Sequence, residues 1–280
     1  MSAPAPAPVP AAGIVAPTEG WHVLHLFYRV ERSIWEDFGP GQHMAARERL
    51  HALIAEIRAT PQTQLLTFSI LTPRADMAFM LLTPDLHTAN RFEKRLSSVL
   101  GPDVLSPVYH YLSMTEWTEY VSSDAEQSAR ITAEKGLAAD TPEHAAEMET
   151  FQKYIAKYRQ DRLYPNMPDW PVFCFYPMNK CRNDGNNWYL LPFSERRRLM
   201  GSHATTGRKY HGRVRQLITG STGLDTHEWG VTLFAHTTSD IKSIVYDMRF
   251  DEVSARYAEF GEFYIGLQIP VDELCSRAGI

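Results

Sequence analysis

Two stretches of this chain follow the same plan, and that repetition limits the folds open to it more than any single motif does. In the first stretch, WHVLHLFYRV at 21–30 has the β-branched and aromatic content of a strand. Residues 44–57 carry Leu50, Leu53, Ile54 and Ile57 at helical spacing. Residues 64–71 and 77–82 read as strands parted by Pro73, 85–100 as a helix with Asp85 as its N-cap, and 107–117 as a last strand. The second stretch repeats the order, with a strand at 171–180, a helix at 192–203, strands at 211–219 and 228–235, a helix at 239–249 and a strand at 261–268. From first strand to fourth element the spacing is the same within one residue: Trp21 to Phe79 is 58 residues and Val172 to Val231 is 59. Residue identity barely repeats, so the likeness lies in the plan. A strand–helix–strand–strand–helix–strand unit is a ferredoxin-like αβ sandwich, an antiparallel sheet with helices on one face. The expected class is therefore α+β, two such domains in tandem, with a pocket wherever a sheet face is left uncovered.

The expected boundaries are a disordered Ala/Pro tail at 1–18, an N-terminal domain at 19–117, a helical connector at 118–168, a C-terminal domain at 169–270 and a tail at 271–280. The Ala/Pro run has no basic start and no continuous apolar core, so it resembles neither a secretion signal nor a membrane span. Within the connector, Ser123 followed by Glu126 is a capping-box pattern, and Thr141-Pro142-Glu143 is a second helix start. Met148, Phe151, Ile155 and Tyr158 then form a narrow apolar stripe that suits a structural connector lying on a domain surface.

Composition narrows the partners. A formal net charge of −5, with 44% hydrophobic and 22% charged residues, is that of a globular protein and argues against a general binder of nucleic acid or membrane surfaces. The basic run Arg196–Arg198 reads as a solvated helix face. Cys174, Cys181 and Cys275 form no CxxC pair and cannot all pair as disulfides, which points to a reducing, cytoplasmic setting.

The chemistry-bearing residues cluster between 172 and 216. Alternation puts Cys174, Tyr176, Met178 and Lys180 on one face of a strand. His203 falls three residues after Met200 and four after Leu199 at the close of the next helix, which places it inward on an apolar stripe. Gln216 alternates with Val214 and Ile218, so it too is expected to be buried, where its amide needs a partner. Each residue also has an ordinary role open to it: a core histidine, a packing tyrosine, a solvated lysine.

The segments FYPMNK (175–180), NWY (187–189), ERRRLMGSH (195–203), GR (207–208), GSTGLDTHEWGVTLF (220–234) and MRFDEVSARYAEFGEFYIG (248–266) closely resemble coproheme decarboxylases, the haem-synthesis members of the chlorite dismutase-like superfamily. The specific match covers roughly 159–268, and the N-terminal half matches in plan only. The resemblance implies a hydrogen-peroxide-dependent enzyme that converts two propionates of iron coproporphyrin III to vinyls with loss of CO₂, giving haem b through a monovinyl intermediate. On that resemblance His203 is the proximal iron ligand, its other ring nitrogen held by a partner the sequence does not reveal. Tyr176 is the residue oxidised to a radical, which takes hydrogen from the propionate β-carbon. Lys180, Arg162 and Ser254 contact propionates, Met178 packs near the reacting substituent, and Arg208 and Tyr111 are further candidate contacts. Gln216 stands where chlorite dismutases hold an arginine, which marks the glutamine-distal type. His211 falls on the strand face opposite Gln216 and is not given the distal role. A homopentamer in the cytoplasm, receiving its substrate from a ferrochelatase, is also implied. The alternatives are a haem-dependent chlorite dismutase or peroxidase, and a non-catalytic haem carrier or sensor.

Overall fold

The structure, a computed structural model, describes residues 19–280; the expected Ala/Pro tail at 1–18 lies outside the described residues. The first half contains β1 (Glu19–Val30), α1 (Arg32–Glu36), α2 (Pro40–Ala59), β2 (Gln64–Ile70), β3 (Met77–Thr83), α3 (Leu86–Ser98) and β4 (Leu105–Glu116). The connector forms α4 (Asp124–Lys135) and α5 (Pro142–Leu163). The second half contains β5 (Val172–Lys180), the small hairpin β6 (Arg182–Asn183) and β7 (Asn186–Asn187), α6 (Phe193–Arg208), β8 (Val214–Gly220), β9 (Trp229–Ala235) and α7 (Thr238–Met248). It ends with α8 (Glu252–Tyr257), β10 (Ala258–Phe260), β11 (Tyr264–Gln268) and α9 (Val271–Ala278).

The two halves have the same antiparallel strand order, β4-β1-β3-β2 in one and β11-β5-β9-β8 in the other. Their free edges then find each other. β2 pairs with β11 through Phe68 and Gln268, and β4 meets β8 where Met114 stands opposite Gly220. The sheet thereby closes on itself, with β10 extending the pairing of β5 and with the β4–β8 seam joined at a single residue pair.

Closure gives every strand an inner and an outer face. The inner faces meet in an aromatic core that includes Phe27, Phe68, Phe173, Phe175, Phe234 and Tyr111. Phe68 and Phe173 stack with ring centroids 3.9 Å apart, the kind of pair that adds roughly 0.5–1.5 kcal/mol beyond its buried area. Outside, α2 and α3 cover the first half-sheet over a core built on Leu50, Leu53, Ile54, Phe79 and Phe92. On the second half-sheet, Val172, Cys174, Tyr176, Val231 and Leu233 face outward, and Ile241 and Ile244 of α7 pack on them.

Two expectations about element ends change. Residues 271–280 are not a tail: Val271, Leu274, Cys275 and Ala278 recur at helical spacing, and α9 buries that stripe, with Ile280, in the core of the first half. Arg32 fastens it by donating to the carbonyl of Ala278 at 2.8 Å. The helix expected to stop at His203 runs on to Arg208, so His203 lies inside α6, one turn before its end. Between the halves, the reciprocal Ser123–Glu126 box starts α4 and the Thr141 side chain caps α5.

One buried group makes the barrel sensitive to acid. His25 is 1% exposed, faces the ring of Phe175 at 4.1 Å, and places Nε2 2.9 Å from Thr232 Oγ1. Burial pushes its pKa down to about 3. The folded state therefore binds fewer protons than the unfolded state between about pH 6.5 and 3, and stability falls as pH drops through that window. Chemical denaturation at a series of pH values should show this loss approaching about 1.4 kcal/mol per pH unit, with His25→Gln removing that component. Parallel pH profiles for the two proteins would contradict the assignment.

Candidate active site on the outer face of the second half-sheet

β5 supplies the centre of the site. Its alternation sends Phe173 and Phe175 into the barrel and leaves Tyr176 outward, where it is 8% exposed. Register pairs Tyr176 with Val231 and Met178 with Trp229 of β9. The Tyr176 ring stacks on Phe263 at 4.4 Å and leans on Phe260 at 5.7 Å, and the Arg249 guanidinium lies 3.9 Å over the Phe260 ring. Burial, reinforced by Cys174, pushes the phenol well above the ordinary tyrosine range, with the charge of Arg249 pulling weakly the other way. Tyr176 is thus a neutral phenol held by aromatic packing.

Lys180 ends the same strand and is not the solvated lysine that composition would suggest. It is 9% exposed, with Nζ 4.6 Å from the centroid of the Trp188 ring. Its backbone N–H donates to Glu228 Oε2 at 2.9 Å, which fixes the strand end to the loop before β9. Burial pushes its pKa down to about 8, against the opposing charges of Asp251, Cys181 and Glu228. Among the described residues no carboxylate lies within 4.0 Å of its ammonium, so Lys180 is a cation available to an anion from outside.

His203 reaches the site from α6. Its Nδ1 is 2.9 Å from Oδ2 of Asp251, and the same carboxylate accepts from the backbone N–H groups of Val253 and Ser254 and from Ser254 Oγ, all at 3.1 Å. Burial of Asp251 disfavours its ionised form, but the bonds from His203 and Ser254 outweigh this and hold the carboxyl below its ordinary range. An ionised Asp251 facing Nδ1 favours the tautomer with the proton there, which leaves Nε2 with a lone pair for a ligand. Asp251 is a residue that sequence reasoning missed. The signal was present: Asp251 with Ser254 three residues on is an N-cap pattern for a helix, and α8 starts there. Arg249, Trp188 and Phe263 were missed too, because nothing in their local sequence distinguishes them from packing residues.

The remaining expected residues divide. Ser254 is 7% exposed and its hydroxyl serves Asp251. Gln216 is exposed rather than buried: it shares a face with Val214 and Ile218 as alternation implied, but that face is the outer one and α6 only grazes it. Gly207 makes that approach possible, since a Cβ there would lie 3.3 Å from both Gln216 Nε2 and Met248 Cε. Gly207 is one helical turn beyond His203, so Gln216 addresses the same side of α6. Arg162 donates from Nε to the carbonyl of Glu116 at 3.1 Å, at the seam where Gly220 stands between Met114 and Trp229. Arg208 is exposed and bonds Thr205 Oγ1 at 2.8 Å in its own helix, with no ion pair among the described residues.

Tyr111 is not brought to the site. Its ring is 1% exposed inside the barrel, 5.4 Å from Phe175, and its hydroxyl donates to the carbonyl of His227. The face of β4 on which it lies points into the barrel, and β5 presents Phe175 to it while turning Tyr176 away. The basic run also differs from expectation. Arg196 and Arg197 are only 20% and 29% exposed and engage Glu119 and Glu126 of the connector, while Arg198 bridges Glu195 and Glu252.

The family model for chlorite dismutase matches residues 43–269 of this chain. A structure described as that of a novel heme-binding protein from Thermus thermophilus is 35% identical and superposes with a TM-score of 0.78, covering 95% of this chain and 97% of that one. A mutant chlorite dismutase from Candidatus Nitrospira defluvii shares the fold at 16% identity, with a TM-score of 0.70 and coverage of 94% and 97%. A structure described as a putative chlorite dismutase does so at 14% identity, with a TM-score of 0.69 and coverage of 93% and 98%. A paired ferredoxin-like architecture, a family match over most of the chain and a 35% identical structure that superposes over nearly its whole length agree: the chain belongs to the chlorite dismutase family.

Proposed function

We propose that this chain catalyses the hydrogen-peroxide-dependent oxidative decarboxylation of iron coproporphyrin III, turning two propionates into vinyls by way of a monovinyl intermediate and releasing haem b. The observation that carries the reading is one strand face holding a buried, neutral Tyr176 and, four residues further along the same strand, a buried Lys180 that no carboxylate among the described residues satisfies. A carrier needs clamps for the ligand; it has no use for an oxidisable phenol stacked between aromatic rings.

The residues fit a bound iron porphyrin. His203 keeps Nε2 free because Asp251 occupies Nδ1, and imidazole nitrogen is a suitable iron ligand. Lys180 and Arg249 are cations of the outer face and Arg162 one at its β4–β8 seam, matched to a substrate with four carboxylates. When bound, the iron together with peroxide supplies the oxidising equivalents. Tyr176 then delivers the chemistry to one carbon: as a neutral phenol it loses a proton with its electron, the resulting radical takes hydrogen from the β-carbon of a propionate and regains its O–H, and loss of the substrate's second electron to the same oxidising equivalents breaks the bond to the carboxylate, releasing CO₂ and leaving the vinyl. Phe260 and Phe263 fix its ring and keep water from it. Gln216 offers an amide and no charge, whereas decomposition of an oxyanion calls for a cation at that position.

Tyr176→Phe separates binding from chemistry. The variant should bind iron coproporphyrin III as the parent does and lose vinyl formation by two orders of magnitude or more, roughly the effect of ~3 kcal/mol in the barrier, as read by chromatography of the porphyrin after peroxide addition. Unchanged product formation would remove Tyr176 from the mechanism. Oxygen evolution from chlorite at a substantial rate would move the reading to a chlorite dismutase.

Lys180 adds a pH signature. It is protonated below about pH 8 and loses its charge above, so affinity for the carboxylate-rich substrate should be level below pH 8 and fall by up to about tenfold per pH unit as pH rises further. Lys180→Gln should bind more weakly at pH 7 and show a flat profile across pH 7–9, as measured by Soret titration. A wild-type profile without that fall would contradict the role given to Lys180.

A further inference from the structure

Residues 119–126 run from the end of β4 into α4 and lie against the first two turns of α6 like a strap. Ion pairs, hydrogen bonds and one packed aromatic ring hold them there. Arg196 donates to the carbonyl of Leu191 at 2.9 Å and stands 3.8 Å from Glu119. Arg197 Nη2 donates to Glu126 Oε2 at 2.9 Å and to Ser122 Oγ at 3.1 Å, and its Nη1 pairs with the other oxygen of Glu126. Tyr120 stacks on Phe193 at 6.0 Å and 16°, and packs on the cluster of Trp188, Leu199, Val253 and Tyr257. Trp188 is the ring beneath the Lys180 ammonium, so the strap backs the wall that presents the buried cation.

Glu126 has two tasks. Its Oε2 accepts the backbone N–H of Ser123 at 2.8 Å to complete the capping box of α4, while both its oxygens hold Arg197. The first turn of α4 is therefore built on the carboxylate that grips α6. Arg196 precedes His203 by seven residues, two helical turns, and so lies along the same side of α6. These ion pairs are partly exposed, the class of contact that contributes little net stability and exchanges readily with another carboxylate.

We propose that Glu119 and Glu126 are a carboxylate latch: they hold Arg196 and Arg197 until the carboxylates of an incoming porphyrin displace them, so that strap release and ligand entry are coupled. The proposal rests on the reading of the site as one for iron coproporphyrin III. A bidentate guanidinium accepts a ligand carboxylate in the geometry it uses for Glu126, and the strap carries acidic groups exactly where a polycarboxylate would otherwise be attracted. Releasing Glu126 from Arg197 unties the first turn of α4 from α6, so the start of α4 should loosen when ligand binds.

The full chain bearing Glu119→Gln and Glu126→Gln tests this. Glutamine still completes a capping box, so α4 keeps its start and the variant folds. Stopped-flow mixing with iron coproporphyrin III, followed by Soret absorbance, should show association about threefold or more faster than the parent, with a steeper fall on adding salt because two guanidiniums are unmasked. Hydrogen exchange of the parent should rise at residues 123–127 when the porphyrin binds. Association unchanged in rate and salt dependence, with exchange at α4 indifferent to ligand, would show that the pairs are only structural. A parent chain that does not bind the porphyrin at all would overturn the site reading itself, and the latch with it.

Discussion

A closed antiparallel sheet obliges each strand to commit its alternate residues to opposite sides, and no strand can shift its register without breaking that commitment. β5 shows the consequence most plainly. Phe173 and Phe175 complete the aromatic interior, and the same alternation delivers Cys174, Tyr176 and Met178 to the outer face under α7. A slip of one residue would put Tyr176 in the barrel and Phe175 in the site. Pairing on both edges, with β9 on one side and β11 and β10 on the other, prevents that slip.

The site is assembled by attaching two helical elements to that fixed face. α6 contributes His203 and α8 contributes Asp251, and their hydrogen bond ties the elements together. Asp251 caps its own helix and orients the imidazole with one carboxylate, so helix start and ligand geometry share a single residue. Electrostatics follow from burial. Lys180 carries its charge in a setting that penalises it, and Asp251 and Glu228 relieve the penalty without neutralising it at contact distance. A cation held in that state gains from any carboxylate that reaches it.

The tandem plan, the helical connector and the face of β5 were legible because each depends on local periodicity or capping. Tyr176, Met178 and Lys180 share an outward face because alternation is a rigid property of a strand. What could not be read depends on distance along the chain. Asp251 meets His203 across 48 residues, and Arg197 meets Glu126 across 71. Closure of the sheet through β2 with β11 and β4 with β8 is likewise a pairing between halves, and without it Tyr111 had no assigned side. Alternation also told only which way Gln216 points; how far α6 covers it depends on the course of the helix past Gly207. α9 is a different case: its apolar stripe was visible, but a short segment at the end of a chain carries little weight until a core is found for it to cover.

On the proposed function, the outer face of the second half-sheet converts propionates into vinyls. The most direct measurement is a mass spectrum of the porphyrin recovered as hydrogen peroxide is titrated into the complex with iron coproporphyrin III. Two successive losses, each of one CO₂ and two hydrogens, with the singly converted species rising and then falling, are predicted. Porphyrin recovered at its original mass after excess peroxide would contradict the account and leave a family member that binds such a ligand without transforming it.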